Sequence, residues 1–512
     1  MTEKIEMEQT GYFSGLFVDY INRCSNLEGF YSQYPQIENF EHFFDKFDGV
    51  DREVLTTTLH EQHKGLDLSE KQSSNISLLK KSNTFTITTG HQLNIFCGPL
   101  FFIYKIISTI KGCQQLKKSY PEKDFVPVFW MATEDHDFEE INHFRLFNQT
   151  HSWTTKQTGA VGRMSTEEIV FDELKDLPEI FDVYKKGYTL AEATRKIVHQ
   201  LFKKYGLLIL DADDVALKTI FKPLIKEELT QQNTIGLISK QTAMLETLGY
   251  KGQIYPRDIN LFYLKDNIRV RIEKTDRGYS AVGTELKWSE SEMLELVEDH
   301  PEQFSPNVAL RPVYQQMILP NIAYVGGPGE LAYWLQLSKV FNHHQVVFPS
   351  LMPRNFGLFI SKSINKKVKK FDLNYNDLFK QAHDLKADFI HKQGADFSVS
   401  NEGKEIEKLL KGLSERVKSI DGTLIATVES ETKKVLKQLG LIEKRVKKSQ
   451  EIKYQNDLTQ LINIKEKLFP NSGLQERQEN FLNFYINDKD FINKIYDAFD
   501  PFDYKLHVII DE

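Results

Sequence analysis

The feature that most constrains this chain is a repeated unit: an apolar run stopped abruptly by glycine, acidic, histidine or arginine residues. It occurs as "FTITT" (85–89) before Gly90-His91-Gln92, and as "FVPVFWMAT" (125–133) before Glu134-Asp135-His136-Asp137. It recurs as "GLLILDADD" (206–214) with Asp211 and Asp213, and as "NIAYV" (321–325) before Gly326-Gly327-Pro328-Gly329-Glu330. A fifth run, "QVVFPSLMPRNFG" (345–357), ends in Pro353-Arg354-Asn355. Short continuous apolar runs fit strands buried on both faces, as in a parallel sheet. Between the first two runs Leu100, Ile103, Ile106, Ile107 and Ile110 recur at helical spacing to about Lys118, with Pro99 suited to the first turn. Strand, helix, strand at this separation is a right-handed βαβ unit.

The expectation is an α/β chain with a parallel-sheet core over residues 1–375. Residues 1–80 read as mostly helical, with aromatic faces (Phe13, Phe17, Tyr20; Phe40, Phe43, Phe44, Phe47). Segments near 140–200 and 250–320 read as insertions, the second holding a small β ribbon at 253–264 around Arg257. Residues 376–470 read as a helical coiled-coil arm. Ile406, Leu410, Leu413, Val417, Ile420 and Leu424 alternate steps of four and three, continuing with a stutter through Val428, Val435, Leu439, Ile442 and Val446. A second helix at about 450–468 pairs with it. Residues 471–512 return to the core as a helix (473–486) and a last edge strand (504–511).

Composition limits the function classes. Apolar residues are 40%, charged residues 27% and the net charge is -7 over 512 residues, which suits a globular chain and argues against nucleic-acid binding by a broad basic surface. Cys24, Cys97 and Cys113 have no metal-ligand spacing and fit a reducing cytoplasm, with Cys97 read as a small buried apolar residue rather than a nucleophile. The N-terminus lacks a basic start followed by an apolar run, so no secretory signal is expected, and no apolar window is long enough to span a membrane.

Ligands of open parallel sheets sit outside the carboxyl ends of the strands. At the first end, Gly90 releases the backbone, His91 and Gln92 offer donors, and the helix start at Gly98 can hold an anion such as phosphate. His136 and Asp137 can orient an amine, act as acid and base, or bind a divalent ion. Gly327 and Glu330 form either an anion nest or a capped turn. Arg257 and Arg354 can bind a carboxylate or phosphate, or form ordinary ion pairs. His343-His344 reads as the end of a helix.

Taken in order, "TTGHQLNIFCGPLFFIYK", "VPVFWMATEDHDFEEINH", "GLLILDADD", "YPRDINLF", "YVGGPGELAYW", "PSLMPRNFG" and "LQERQENF" resemble the BshC family, the cysteine ligases of bacillithiol biosynthesis. The resemblance spans nearly the whole chain. It implies a Rossmann-like core similar to class I aminoacyl-tRNA synthetases, with inserted connecting segments and a coiled-coil arm that makes a homodimer. It also implies a cytoplasmic ligase that joins the carboxyl of cysteine to the amine of glucosaminyl malate. "GHQ" resembles the synthetase nucleotide signature, with Asn94 where the second histidine stands.

On that reading, ATP activates the carboxyl, and Gly90, His91, Gln92, Gly98 and Arg354 hold nucleotide or phosphate. His136 or Asp137 takes the amine proton. Arg257 meets the malate carboxylates, and Glu134, Asp135, Asn260, Gly327, Glu330 and Asn355 bind substrate. Gln475, Glu476 and Arg477 form a second nucleotide site. No residue is assigned to metal, and a divalent-ion requirement is open. The alternatives are an amide ligase for another amino acid or amino sugar, and a nucleotide-binding scaffold.

Overall fold

The computed structural model describes residues 2–171, 174, 177–394 and 397–511. Its centre is a five-stranded parallel sheet of β1 (Thr84–His91), β2 (Asp124–Met131), β3 (Leu208–Asp211), β4 (Asn321–Gly326) and β5 (Ser350–Pro353). The spatial order is β5-β4-β1-β2-β3, with every pairing parallel. Read from the other edge this is 3-2-1-4-5, the order of a Rossmann sheet, with its topological switch point between β1 and β4. The register brings His91, Met131 and Asp211 into one row and Gly326 beside Pro353 in another, so the polar strand ends lie along one edge.

The strands form where the runs stand because both sheet faces are covered. Helix α1 (Phe101–Ser119) packs on β1 and β2 and buries most of its length, including Lys105. Helices α2 (Leu190–Phe202) and α6 (Pro328–Trp334) also pack on the sheet, and beyond them α3 (Val215–Gln231) packs on α5 (Arg311–Ile318) and α4 (Asn233–Thr247) on α7 (Ser338–His343). The segment between α4 and α5 folds into a five-stranded antiparallel sheet containing Leu261–Lys265, Ile268–Thr275 and Phe304–Pro306.

Several expectations are corrected. The fifth run is two strands, β5 and Phe356–Ile360, and the second belongs to another sheet. There Leu506–Ile510 lies between Thr2–Ile5 and Phe356–Ile360, so the last strand is central rather than at an edge, and the N-terminus opens with a strand rather than a helix. Residues 473–486 make two short helical pieces, Gln475–Gln478 and Leu482–Tyr485. Arg257 precedes its ribbon in a loop, since the strand begins at Leu261.

The chain divides into two compact units, one of residues 1–359 with 473–509 and the other chiefly of residues 360–472. In the second, α8 (Ser400–Lys418) and α9 (Ile425–Lys453) form an antiparallel hairpin: Val399 meets Glu443, and Gly403 lies beside Leu436 and Leu439. The heptad seam therefore folds back on itself near 419–424, where Asp421 caps the turn at Thr423, rather than running on to pair with α10 (Gln455–Leu468). Among the described residues no helix is long and apolar enough to cross a membrane.

Candidate active site at the strand ends

A cavity of about 710 Å³ opens at the carboxyl ends of β1, β2 and β3. Its lining includes Gly90, His91, Gln92, Glu134, Asp135, Arg257 and Glu330. A recess of about 520 Å³ shares His91, Gln92, Phe101 and Glu140 with it and adds Asp137, Glu139 and His143. His136 is exposed and lines neither space, but it contacts Arg269, which lines the cavity.

The switch point is filled by Lys105. Its ammonium reaches from α1 to the Gly90 carbonyl at 2.5 Å and to Glu330 at 2.7 Å. Burial would raise the Glu330 carboxyl, but Lys105, the Gly327 N–H and the Tyr324 hydroxyl hold it below its ordinary value. The Gly327 amide is thus spent on its own helix cap, and the glycine turn is a capped turn rather than an anion nest. Gly90 lies within β1, and its carbonyl accepts from Lys105.

The two histidines differ in tautomer. His91 Nδ1 faces the Gln92 carbonyl at 2.9 Å, so it carries the proton and Nε2 keeps a lone pair. Burial, then Lys105, lowers His91 to about 4, so it is neutral near pH 7. It is an acceptor there, not the phosphate donor expected. His136 Nδ1 lies 2.6 Å from Arg269 Nη1 and, since arginine only donates, must accept. Its lone pair is occupied, which removes it as a base and leaves Nε2–H as a donor. Arg269 is also spent on Ser305 and the Pro306 carbonyl.

Glu134 is the cavity carboxyl whose proton affinity is raised. Burial raises it to about 7, against the attraction of Lys218, whose ammonium contacts it. Asp135 organises the loop, accepting from Gln92 Nε2 at 2.7 Å and from the His136 amide at 2.7 Å. Gln92 also donates to Glu140, so its amide is not free for phosphate. Asp137, Glu139 and Glu140 make the recess acidic, the wrong sign for a phosphate cradle.

The cavity has a cationic wall in which Arg257 is the expected member and the others were not visible in the motifs. Arg257, Arg271 and Arg311 line the main cavity with Lys105 and Arg269. Arg311 is held over Trp130 and Tyr324, its Nη1 donates to Gln315, and its buried Nη2 has no hydrogen-bond partner. Among the described residues no carboxylate is ion-paired with it. Sequence reasoning missed Lys105, Arg269, Arg271 and Arg311; the alternation of Arg269 and Arg271 on one strand face was the available signal.

Six expected site residues belong to the scaffold. Gly98, with φ +56°, starts no anion site: the Leu100 N–H donates to the Glu479 carbonyl, and Asn480 Nδ2 donates to the carbonyls of Phe96 and Gly98. A Cβ at Gly98 would lie 2.6 Å from Asn94 Cβ, so glycine is required there. Arg354 and Glu476 form a buried ion pair at 2.6 Å. Glu476 also accepts from the Gly357 amide, and Gln475 pairs with both backbone groups of Phe359. Asn355 is bonded to Ser108 and the Asp500 carbonyl. Asn260 is buried on Glu228, Arg257 backbone and Asn307. Of the second nucleotide triad only Arg477 is exposed.

Residues 1–355 match the family described as "Bacillithiol biosynthesis BshC, N-terminal Rossmann-like domain", and residues 357–511 match its "C-terminal coiled-coil domain". The chain belongs to the BshC family. A relative from Cytophaga hutchinsonii named "Putative cysteine ligase BshC" is 42% identical, covering 98% of this chain and 97% of its own. One of the same name from Flavobacterium psychrophilum is 41% identical over 98% of each chain. A more distant one from Staphylococcus carnosus is 27% identical over 91% of this chain and 92% of its own. As a BshC member, the chain carries its cavity where the Rossmann topology calls for one.

Proposed function

We propose that this chain joins the carboxyl group of cysteine to the amine of glucosaminyl malate, the last bond of bacillithiol, in the strand-end cavity. The observation that carries the reading is Glu134, a mostly buried carboxyl poised near neutrality, sharing one cavity with Arg311, which has no carboxylate ion pair among the described residues. A nucleoside triphosphate transfers its phosphoryl or nucleotidyl group to the carboxylate oxygen of cysteine, a P–O bond of the triphosphate breaking as the nucleoside diphosphate or pyrophosphate leaves, and the oxygen so modified becomes a leaving group. The sugar amine then attacks the carbonyl carbon, the C–N bond forms as the C–O bond breaks, and the amine proton passes to Glu134. Arg257, Arg271 and Arg311 suit the anionic parts of the partners, malate carboxylates and phosphates. The acidic recess beside His91 suits the ammonium group of cysteine. Holding both partners in one cavity supplies much of the rate.

The apolar positions left exposed on the hairpin, among them Leu409, Leu413 and Ile442, support a second copy of the chain as the arm's partner. Three free cysteines fit a cytoplasmic protein.

The test is to incubate purified protein with glucosaminyl malate, ATP and a panel of amino acids, reading amide product and nucleotide product by mass spectrometry. The reading expects amide with cysteine alone, with one nucleotide cleaved per amide formed. Product from another amino acid would make it a ligase of different specificity. No amide with any of them would leave a binding or scaffold role.

A further inference from the structure

Away from the cavity, α3 and α7 bring two imidazoles and a carboxylate together. The ligand atoms of Glu227, His343 and His344 all lie within 4.8 Å of one another. His343 Nε2 contacts Glu227 Oε1, and His344 Nδ1 stands 3.6 Å from the other carboxylate oxygen. The two rings are nearly perpendicular, at 81° with centroids 4.9 Å apart, so their nitrogens approach the carboxylate from different directions. None of the three lines the cavity.

We propose that Glu227, His343 and His344 bind a divalent transition-metal ion of the zinc type. Tetrahedral zinc with bonds of about 2.0–2.2 Å separates its ligand atoms by roughly 3.3–3.6 Å; the 3.6 Å between His344 Nδ1 and Glu227 is of that size, and the direct His343–Glu227 contact opens to admit the ion. Two imidazole nitrogens and one carboxylate are the donors that borderline metals select, whereas calcium and magnesium take oxygen. His343 is about one-third exposed, which leaves room for water at a fourth position. The geometry of the three groups is fixed from both sides. His343 and His344 close α7, and Gln345 after them has φ +56°, which turns the chain away at once. Asn233, beginning α4, donates to Glu227 at 3.2 Å and lies 3.3 Å from His343 Nε2, which orients both.

The competing arrangement is a protonated histidine paired with Glu227 at a helix end, which the helix dipole also favours. The two differ in what lies between nitrogen and oxygen: a proton or a metal. A metal would tie α3, whose Lys218 sits on Glu134, to α7, which follows α6 with its Glu330 and Tyr333. It would act as a staple behind the cavity wall and not as a reactant.

The test uses the full chain, stripped with chelator and dialysed, then titrated with zinc sulfate by calorimetry. In parallel, cobalt chloride is added and its absorption is followed. The proposal expects one equivalent per chain, a tetrahedral cobalt spectrum removed by zinc, and a melting temperature that rises with zinc and falls again with chelator. Glu227→Gln and His344→Gln should weaken binding by more than the roughly 10–100-fold that loss of an outer partner costs at known sites. His343→Gln, at the exposed position, tests the same point where folding is least at risk, and His343→Cys should retain binding. Wild-type affinity in all three glutamine variants, or no saturable binding in the wild-type chain, would overturn the proposal.

Discussion

In the central sheet, every residue of β1 except His91 is buried, whereas α8 and α9 of the hairpin bury none. The same residue types behave differently in the two regions. Arg354 and Glu476 are held out of water, and Lys105 is buried against Glu330 at the cavity wall, with hydrogen bonds assigned atom by atom. Lys434–Glu431 and Lys447–Glu443 on the hairpin are solvated pairs one helical turn apart. Burial makes the sheet-end charges costly to disturb and lets them shift each other's proton affinity, which is what chemistry needs. The hairpin keeps its charges cheap to change and leaves its apolar seam for contact.

Breaking a buried pair should have the largest effect on stability. Arg354→Ala strands Glu476 and should destabilise its unit by about 3–5 kcal/mol in denaturant unfolding, while Arg354→Met with Glu476→Leu should cost less than either single change. Equal costs would mean the pair is no more constrained than those of the hairpin.

An intermediate effect is expected from acid. Burial holds His63 at about 4 in the folded chain against about 6.5 unfolded, its Nδ1 bonded to the Leu59 carbonyl. Because the unfolded chain takes the proton first, stability is full above pH 6.5 and falls as pH drops toward 4, by about 3 kcal/mol for this group. His63→Gln should flatten that part of a pH–stability curve measured by urea unfolding.

The smallest effect on stability is expected on the hairpin. Leu413→Lys with Ile442→Lys, both at exposed positions, should leave the melting of the core unit within about 0.5 kcal/mol. The same pair should convert the proposed dimer to a monomer in light scattering. A large loss of core stability would remove the distinction between the regions.

The legibility of the sequence follows the same division. Parallel strands announce themselves because burial on both faces forces continuous apolar runs, so β1 to β4 and the residues at their ends, His91, Glu134 and Asp135, were readable. The fifth run misled because Pro353-Arg354-Asn355 joins two apolar strands, and a join buried on both sides looks like a strand end. Lys105 is hidden inside the apolar face of α1, where a lysine ordinarily turns its charge outward. Arg269, Arg271 and Arg311 come from an inserted sheet and a distant helix, and only folding brings them to the strand ends. The seam of the hairpin was legible as a period, but its reversal near Gly422 was not, since a stutter and a turn look alike in one dimension.

The most direct test of the central claim, that Glu134 takes the amine proton in the strand-end cavity, is the pH dependence of kcat/KM for amide formation from cysteine and glucosaminyl malate. The wild-type chain should show an ascending limb near pH 7. In Glu134→Gln the rate should fall roughly 10²–10⁴-fold and that limb should vanish, while cysteine still binds. An unchanged rate and profile in the variant would contradict the account.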